Sequence, residues 1–326
     1  MNGTLTDVFG IEVGHYTDLK SGTGCTAILV PSGATGGVDV RGSAPGTRET
    51  DILKSESSVD LIHGISLSGG SAFGLDAAGG VAAYLANHGI GHKVRSHVIP
   101  IVPSAIIFDL GFGESGIRPG HAEGSIAAQN ASTAPVECGT VGAGTGATVG
   151  KVLGRDHAMK GGLGTSSLDL GGGVVVSALA VVNSVGGIVD PDSGKLLAGP
   201  LNNKGEVMDS IAIYSDPGFG IGSGNQKIKG LLQNTTLGVI ATNLALTKPQ
   251  TNRLATLGHD GFAIAIRPCH TLHDGDTVFS LSTAQIQAED ELPRLYALAP
   301  VVMASAIINA IAKATGLNGT KSMSDL

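Results

Sequence analysis

The chain has 326 residues, 42% of them apolar, which suffices to bury a core in one large domain or two ordinary ones. A formal charge of -7, with no basic run interleaved with aromatics, argues against nucleic acid as a partner. Cys25, Cys138 and Cys269 are far apart and form no Cys-x-x-Cys pair, which excludes a zinc finger and gives no disulfide framework. The first residues carry no basic segment followed by an apolar one, and no apolar run reaches about 18 residues, so the expectation is a cytoplasmic chain with no membrane partner. With 51 glycines, no Trp, 4 Tyr and 7 Phe, the core has to be built from Val, Ile, Leu and Ala around many tight turns.

In chain order, Cys25 to Val30 reads as a strand and Arg41 to Asp51 as an unusually polar loop. Leu61 to Ser66 is a second strand, running through Ser68-Gly-Gly-Ser-Ala-Phe-Gly74 into a helix over Leu75 to Leu85. That strand-turn-helix is not a nucleophile elbow. Gly-x-Ser-x-Gly fails at Ser71, two residues before which stands Gly69 but two after which stands Phe73, and at Ser68, preceded two residues earlier by Ser66. Gly142-Ala-Gly-Thr-Gly-Ala147 fits the loose dinucleotide pattern, without a convincing strand before it or a helix after it. The phosphate-loop pattern misses as well, because Val152 follows Lys151. An uncut nucleotide- or ligand-binding protein using Gly142 to Gly150 is the non-enzyme alternative.

Gly171 to Val182 reads as glycine followed by a buried strand that ends at Asn183, and Gly199 to Gly230 as the best candidate for a mobile loop. Leu237 to Asn243 is a further strand, Pro249 to Ile266 a helix with Pro at its start, and Thr277 to Thr283 a short strand. Ile286 to Ala314, interrupted by Pro293, reads as two helices. Without clean alternation of strand and helix, helices layered on antiparallel sheet fit better than a doubly wound fold.

The chemistry centres on Leu231 to Thr242. If the Asn234 to Thr235 bond is cut, Thr235 carries both a hydroxyl nucleophile and, one carbon away, a free amine with a reference pKa of about 7.7 to 8.0. The competing readings are a plain strand start and, in a secreted chain, an Asn-x-Thr glycosylation acceptor. Asn183 can donate its amide to an oxyanion or simply cap a strand end. Lys160, in Lys160-Gly-Gly-Leu-Gly164, can supply positive charge or sit solvated in a loop. Asp274-Gly-Asp276 can place carboxylates by the new amine or form an ordinary Asp-Gly turn. Cys269, His270 and His273 lack a convincing fourth ligand, so neither a metal nor any other cofactor is expected.

Five blocks in order carry a resemblance: Arg41-Gly-Ser-Ala-Pro-Gly-Thr-Arg-Glu-Thr-Asp51, Ser68-Gly-Gly-Ser-Ala-Phe-Gly-Leu-Asp-Ala-Ala78, Gly142 to Lys151, Asn234-Thr-Thr-Leu-Gly-Val-Ile-Ala-Thr-Asn243 and Asp274-Gly-Asp-Thr-Val-Phe279. Through them most of the chain resembles the P1-family (S58-type) self-processing hydrolases with an N-terminal nucleophile, which include D- and L-aminopeptidase/esterases, β-aminopeptidases and nylon-oligomer hydrolases. The resemblance implies an α+β fold, a four-layer αββα sandwich, and a single domain split into chains 1 to 234 and 235 to 326. Thr235 matches the nucleophile, Asn234 the residue before the cut, and Asn183 the oxyanion Asn. Lys160 matches an active-site Lys, and Asp274 and Asp276 match the acidic pair. Ser71, Gly144 and Phe108, the last at the place where the family carries a Tyr, are candidate substrate or structural loop residues. Thr after Asn, where the aminopeptidase branch has Ser after Gly, looks like the hydrolases of 6-aminohexanoate oligomers. Peptides of β-, D- or L-amino acids are the alternative substrates, and a homo-oligomer, a tetramer of αβ units, is implied.

Overall fold

The computed structural model describes residues 3–114, 116–219 and 234–326. Its frame is one nine-stranded sheet. Eight of the strands are β1 (Glu12–Asp18), β2 (Thr23–Val40), β3 (Leu61–Ser68), β4 (Ser104–Ile106), β5 (Gly162–Asp169), β6 (Val175–Asn183), β7 (Thr235–Leu244) and β8 (Thr277–Ile286). They run in the order β5-β6-β7-β8-β2-β3-β4, with Thr47–Arg48 as a short ninth strand on β4 and with β1 paired to β2. Pairing is antiparallel except between β7 and β8 and between β3 and β4.

The long β2 is the hinge of this sheet. Its register against β3 slips between Leu29 and Ala34, and beyond the slip Thr35 to Val40 pair with β8. An irregularity of that kind bends a strand, and here it folds the sheet into two facing halves. Strand alternation shows the result. Ile28, Leu67, Leu179, Val181, Leu237, Val239, Phe279 and Leu281 meet in a shared inner core. The opposite faces of β6, β7 and β8 pack Val176, Ala178, Ile240 and Val278 against helices α4 (Lys248–Ala265) and α5 (Leu292–Ala312). Cys25, Ala27 and Leu29 of β2 turn to α1 (Ala77–Asn87) and α2 (His121–Gln129). Helix, sheet, sheet and helix therefore stack as four layers, the expected α+β sandwich.

Two sequence expectations change, and one strand was not read from the sequence at all. Within Ile286 to Ala314 a single long helix, Leu292–Ala312, replaces the two expected, and Ile286 ends β8; Pro293 sits in the first turn of α5, where its missing N–H has no intrahelical partner to lose. The segment Glu289–Ala312 is long and apolar enough to cross a membrane, but its inner face is packed on the sheet. The stretch Gly162–Asp169 is a full strand although its Gly, Ser and Asp content conceals it. Glycine is needed there: a Cβ at Gly164 would lie 2.2 Å from the Ala310 N and 2.3 Å from the Ala306 O of α5. Within the loop expected over Gly199 to Gly230, Ser210–Ser215 forms a short helix, α3, whose start is capped by the Asp209 carboxylate; residues 220 to 230 of that expectation lie outside the described residues.

Candidate active site

Parallel pairing makes β7 and β8 start side by side, and the antiparallel β6 ends where β7 begins. Thr235, the first residue of β7, stands opposite Asn183, the last of β6. The turn Asp274-Gly275-Asp276 leads into β8, and Asn234 bridges to Asp274. Topology thus gathers Asn234, Thr235, Asn183, Asp274 and Asp276 at one sheet edge, all of them buried.

The Asn234 carbonyl is the best-defended atom of the group. Gly275 N donates to it at 2.9 Å and the Thr235 Oγ1 hydroxyl at 2.6 Å. Gly275 has no room for a side chain, since a Cβ would lie 2.7 Å from both Thr235 Oγ1 and the Ala44 O. The hydroxyl and the carbonyl of the bond before it are held together with one backbone N–H already on the oxygen that an attack would charge.

The two carboxyls are held differently. Asp276 is saturated: Oδ1 accepts from Thr236 N at 2.7 Å, and Oδ2 accepts from His270 N at 3.0 Å and His270 Nδ1 at 2.7 Å. Asp274 Oδ2 accepts from Thr271 N at 2.6 Å, while its buried Oδ1 has no hydrogen-bond partner among the described residues. Burial first, and then the neighbouring Asp276 charge, push Asp274 up to about 6.

Asn183 is oriented by a cation. Its Oδ1 accepts from Thr148 N at 3.0 Å and Lys151 Nζ at 2.8 Å, and Lys151 Nζ also reaches the Asn183 carbonyl at 3.0 Å. The oxygen end being occupied, the Nδ2 end points elsewhere, with one hydrogen on the Phe108 carbonyl at 3.4 Å. Burial, reinforced by the charge of Arg155, lowers Lys151 to about 7 against the pull of Asp274 and Asp276.

Lys160 takes a different place from the one expected. It is wholly buried, and its ammonium donates to the carbonyls of Ala147 at 2.8 Å, Gly161 at 2.9 Å and Gly144 at 3.0 Å. Those three bonds use all its hydrogens, so it ties the Gly142 to Ala147 turn to β5 and does not touch Asn183 or Thr235. Lys151 was visible in the sequence, at the end of the glycine block that carries part of the resemblance, but was given no role there beyond a failed phosphate loop. Gly144 contributes its carbonyl to Lys160, and Phe108 its carbonyl to Asn183. Ser71, in the left-handed region at φ 54°, is held by its N–H on the Ile107 carbonyl.

The glycine block is no nucleotide site. Gly142, Ala143 and Gly144 form a single buried 3-10 turn followed by no helix, and Gly144 abuts Leu163. Its N–H groups face protein, not solvent.

A profile of peptidase family S58 matches residues 3–324. An uncharacterized aminopeptidase of Mycobacterium tuberculosis is 42% identical over 309 residues, covering 91% of this chain and 86% of the relative. A 6-aminohexanoate-oligomer endohydrolase of Paenarthrobacter ureafaciens is 31% identical over 284 residues, covering 86% and 75%. The solved L-aminopeptidase D-Ala-esterase/amidase of Ochrobactrum anthropi, described as a variant of the Ntn hydrolase fold, shares the fold with a TM-score of 0.70 at 19% identity, over 98% of this chain and 89% of its own.

Proposed function

The chain belongs to peptidase family S58 and is a hydrolase of amide bonds, and from that membership we propose that it cuts its own Asn234–Thr235 bond and then works through the freed Thr235. Thr235 Oγ1 attacks the Asn234 carbonyl carbon, the C–N bond breaks as the amine takes a proton, and the resulting ester is hydrolysed by water. In the mature enzyme the same hydroxyl, deprotonated by its own α-amine, attacks a substrate amide to give an acyl-enzyme. Asn183 Nδ2 and neighbouring N–H groups hold the oxyanion, and Asp274 and Asp276 orient and tune the amine.

The observation that carries this reading is the Asn234 carbonyl, engaged at once by the Thr235 hydroxyl and the Gly275 N–H. Asn234 occupies the place beside Thr235 that a substrate acyl group has to take once the bond is cut. Denaturing mass analysis tests the reading directly. Two fragments meeting at Asn234/Thr235 are expected, and a lasting 32.5 kDa chain that nevertheless hydrolyses amides would rule out the amine base.

For the substrate we propose linear amides of the 6-aminohexanoate-oligomer type, on the strength of Thr following Asn at the cut and the endohydrolase relative. A second reading, an aminopeptidase for β-, D- or L-amino peptides, draws on the closer identity to relatives named aminopeptidases. Assaying 6-aminohexanoate oligomers beside β-alanyl and D-alanyl amides decides; no turnover of the linear oligomer sinks the first. The tetramer of αβ units belongs to the same proposal and is checked by the mass in solution.

Gly275 gives a separate prediction. Gly275→Ala pushes a methyl into the Thr235 hydroxyl and the Ala44 carbonyl, and displacing a nucleophile by about 1 Å can cost on the order of 10²-fold. Self-cleavage followed over time on denaturing gels should slow by about that factor. Cleavage at the wild-type rate would show that the hydroxyl does not act from this position.

A further inference from the structure

His270 lies at the centre of a buried set of contacts that the reaction as written does not use. It sits in the left-handed region at φ 55°, where a non-glycine residue is uncommon, and that geometry aims both its backbone N–H and its Nδ1 at one oxygen of Asp276. The other Asp276 oxygen takes the N–H of Thr236, the residue joined to the nucleophile. Asp276 is thus a two-ended clamp between His270 and the start of β7.

Two-step protonation of the carboxyl pair depends on which groups face it. From its own segment, His270 has Cys269 and Asp276; from α4 it has His259, whose ring lies 4.8 Å away at 70°, and Phe262. His259 Nε2 lies 2.9 Å from the Asp39 carbonyl, which can only accept, so Nε2 carries the hydrogen. Its buried Nδ1 has no partner among the described residues, and burial lowers its pKa to about 4, so this ring stays neutral. Asp39 and Arg41 pair with each other beyond it at 3.0 Å. The charge of Lys151 also acts on both carboxyls. Burial opposes a charge on His270, but the Asp276 hydrogen bond and charge, with Cys269, outweigh burial and raise its pKa. His270 therefore faces Asp276 as a cation, although its buried Nε2 has no acceptor among the described residues.

We propose that His270 is a positioning residue for the nucleophile: as an imidazolium it keeps Asp276 an anion clamped on the Thr236 N–H, which leaves Asp274 as the carboxyl that gains and loses the proton at the site. The proposal rests on Thr235 being the nucleophile. A protonated Asp276 has one oxygen turned donor and cannot hold three donors, so the first turn of contacts at β7 loosens. With Asp276 pinned, the Oδ1 of Asp274, unpartnered among the described residues, is the place for the exchanging proton.

His270→Asn separates charge from shape. Asn tolerates the left-handed backbone, and its Nδ2 donates where the imidazole Nδ1 does, without a charge. The variant is expected to fold and cleave itself, with the acid limb of its pH profile for amide hydrolysis moved up by about one unit, since losing the imidazolium leaves the negative charge beside Asp274 uncompensated and raises that carboxyl further. Turnover at pH 6 then falls about fivefold, while turnover at pH 8.5 and KM stay near wild type. A profile identical to wild type overturns the proposal, and so does an equal loss at every pH, which is what a purely structural role gives. Should His270→Asn not fold, NMR of the Thr235→Ala chain provides the second test: His270 is expected to be doubly protonated at pH 8, and a neutral ring there overturns the proposal. A wild-type chain that neither cleaves itself nor hydrolyses amides would defeat the Thr235 reading instead, leaving the NMR result to stand or fall alone.

Discussion

A Thr235→Ala chain is expected to remain one 32.5 kDa species and to hydrolyse no amide above background. Both losses have one cause. The hydroxyl that sits 2.6 Å from the Asn234 carbonyl is the attacking group for the cut, and without the cut there is no amine to activate any later nucleophile. Loss of a covalent nucleophile costs on the order of 10⁴-fold or more, because neighbouring groups that act as a unit cannot replace it. The fold itself should survive, since Thr235 is held in β7 by backbone pairing to Asn183 and the inner core begins only at Leu237. Thr235→Ser is the companion. It keeps hydroxyl and amine, so it should cleave and turn over, more slowly because the missing methyl frees the hydroxyl to rotate. A Thr235→Ala chain that still splits at Asn234 would place the nucleophile elsewhere.

The strands that carry this site were legible in the sequence because they are runs of Val, Ile and Leu: β6 and β7 were read to within a few residues. What could not be read was the edge they share. Nothing in Leu237 to Asn243 says that β7 lies parallel to β8 and antiparallel to β6, yet that pairing alone brings Thr235, Asn183 and the Asp274 turn together. The two lysines show the same limit at one residue. Lys151 follows a glycine-rich stretch and Lys160 precedes one, and only the three-dimensional path of β5 decides that one ammonium meets Asn183 and the other three carbonyls. His270 was weighed as a metal ligand and set aside, because a sequence shows its neighbours Cys269 and His273, not the left-handed turn that aims it at Asp276. The fold class was accessible through resemblance; β5, made of Gly, Ser and Thr, was missed because its glycines answer to the backbone of α5 and not to strand propensity.

Lys151→Met is expected to give a folded enzyme with turnover reduced by about 10²- to 10³-fold, the usual loss when one oxyanion donor is removed. The lysine acts through Asn183. Its Nζ occupies both Asn183 oxygens, which fixes the amide with nitrogen toward the site; with Met there, Oδ1 keeps only the Thr148 N–H and the amide can turn its oxygen toward a developing negative charge. Stability should move oppositely. Burial lowers Lys151 from 10.5 to about 7, so between those values the unfolded chain binds more protons than the folded one, and stability rises with pH across that window. The cost of the buried charge is full below about 7, and Lys151→Met removes it, flattening the pH dependence of the melting temperature. Lys160→Met, made in parallel, strips the Gly144, Ala147 and Gly161 carbonyls of their donor and should lower the melting temperature while leaving turnover per folded molecule largely intact. A cycle with Asn183→Ala locates the effect: if Lys151 works by orienting the amide, Lys151→Met in the Asn183→Ala background should cost almost nothing further. A full additive loss in the double variant would mean that the Lys151 charge acts on the reacting atoms independently of Asn183.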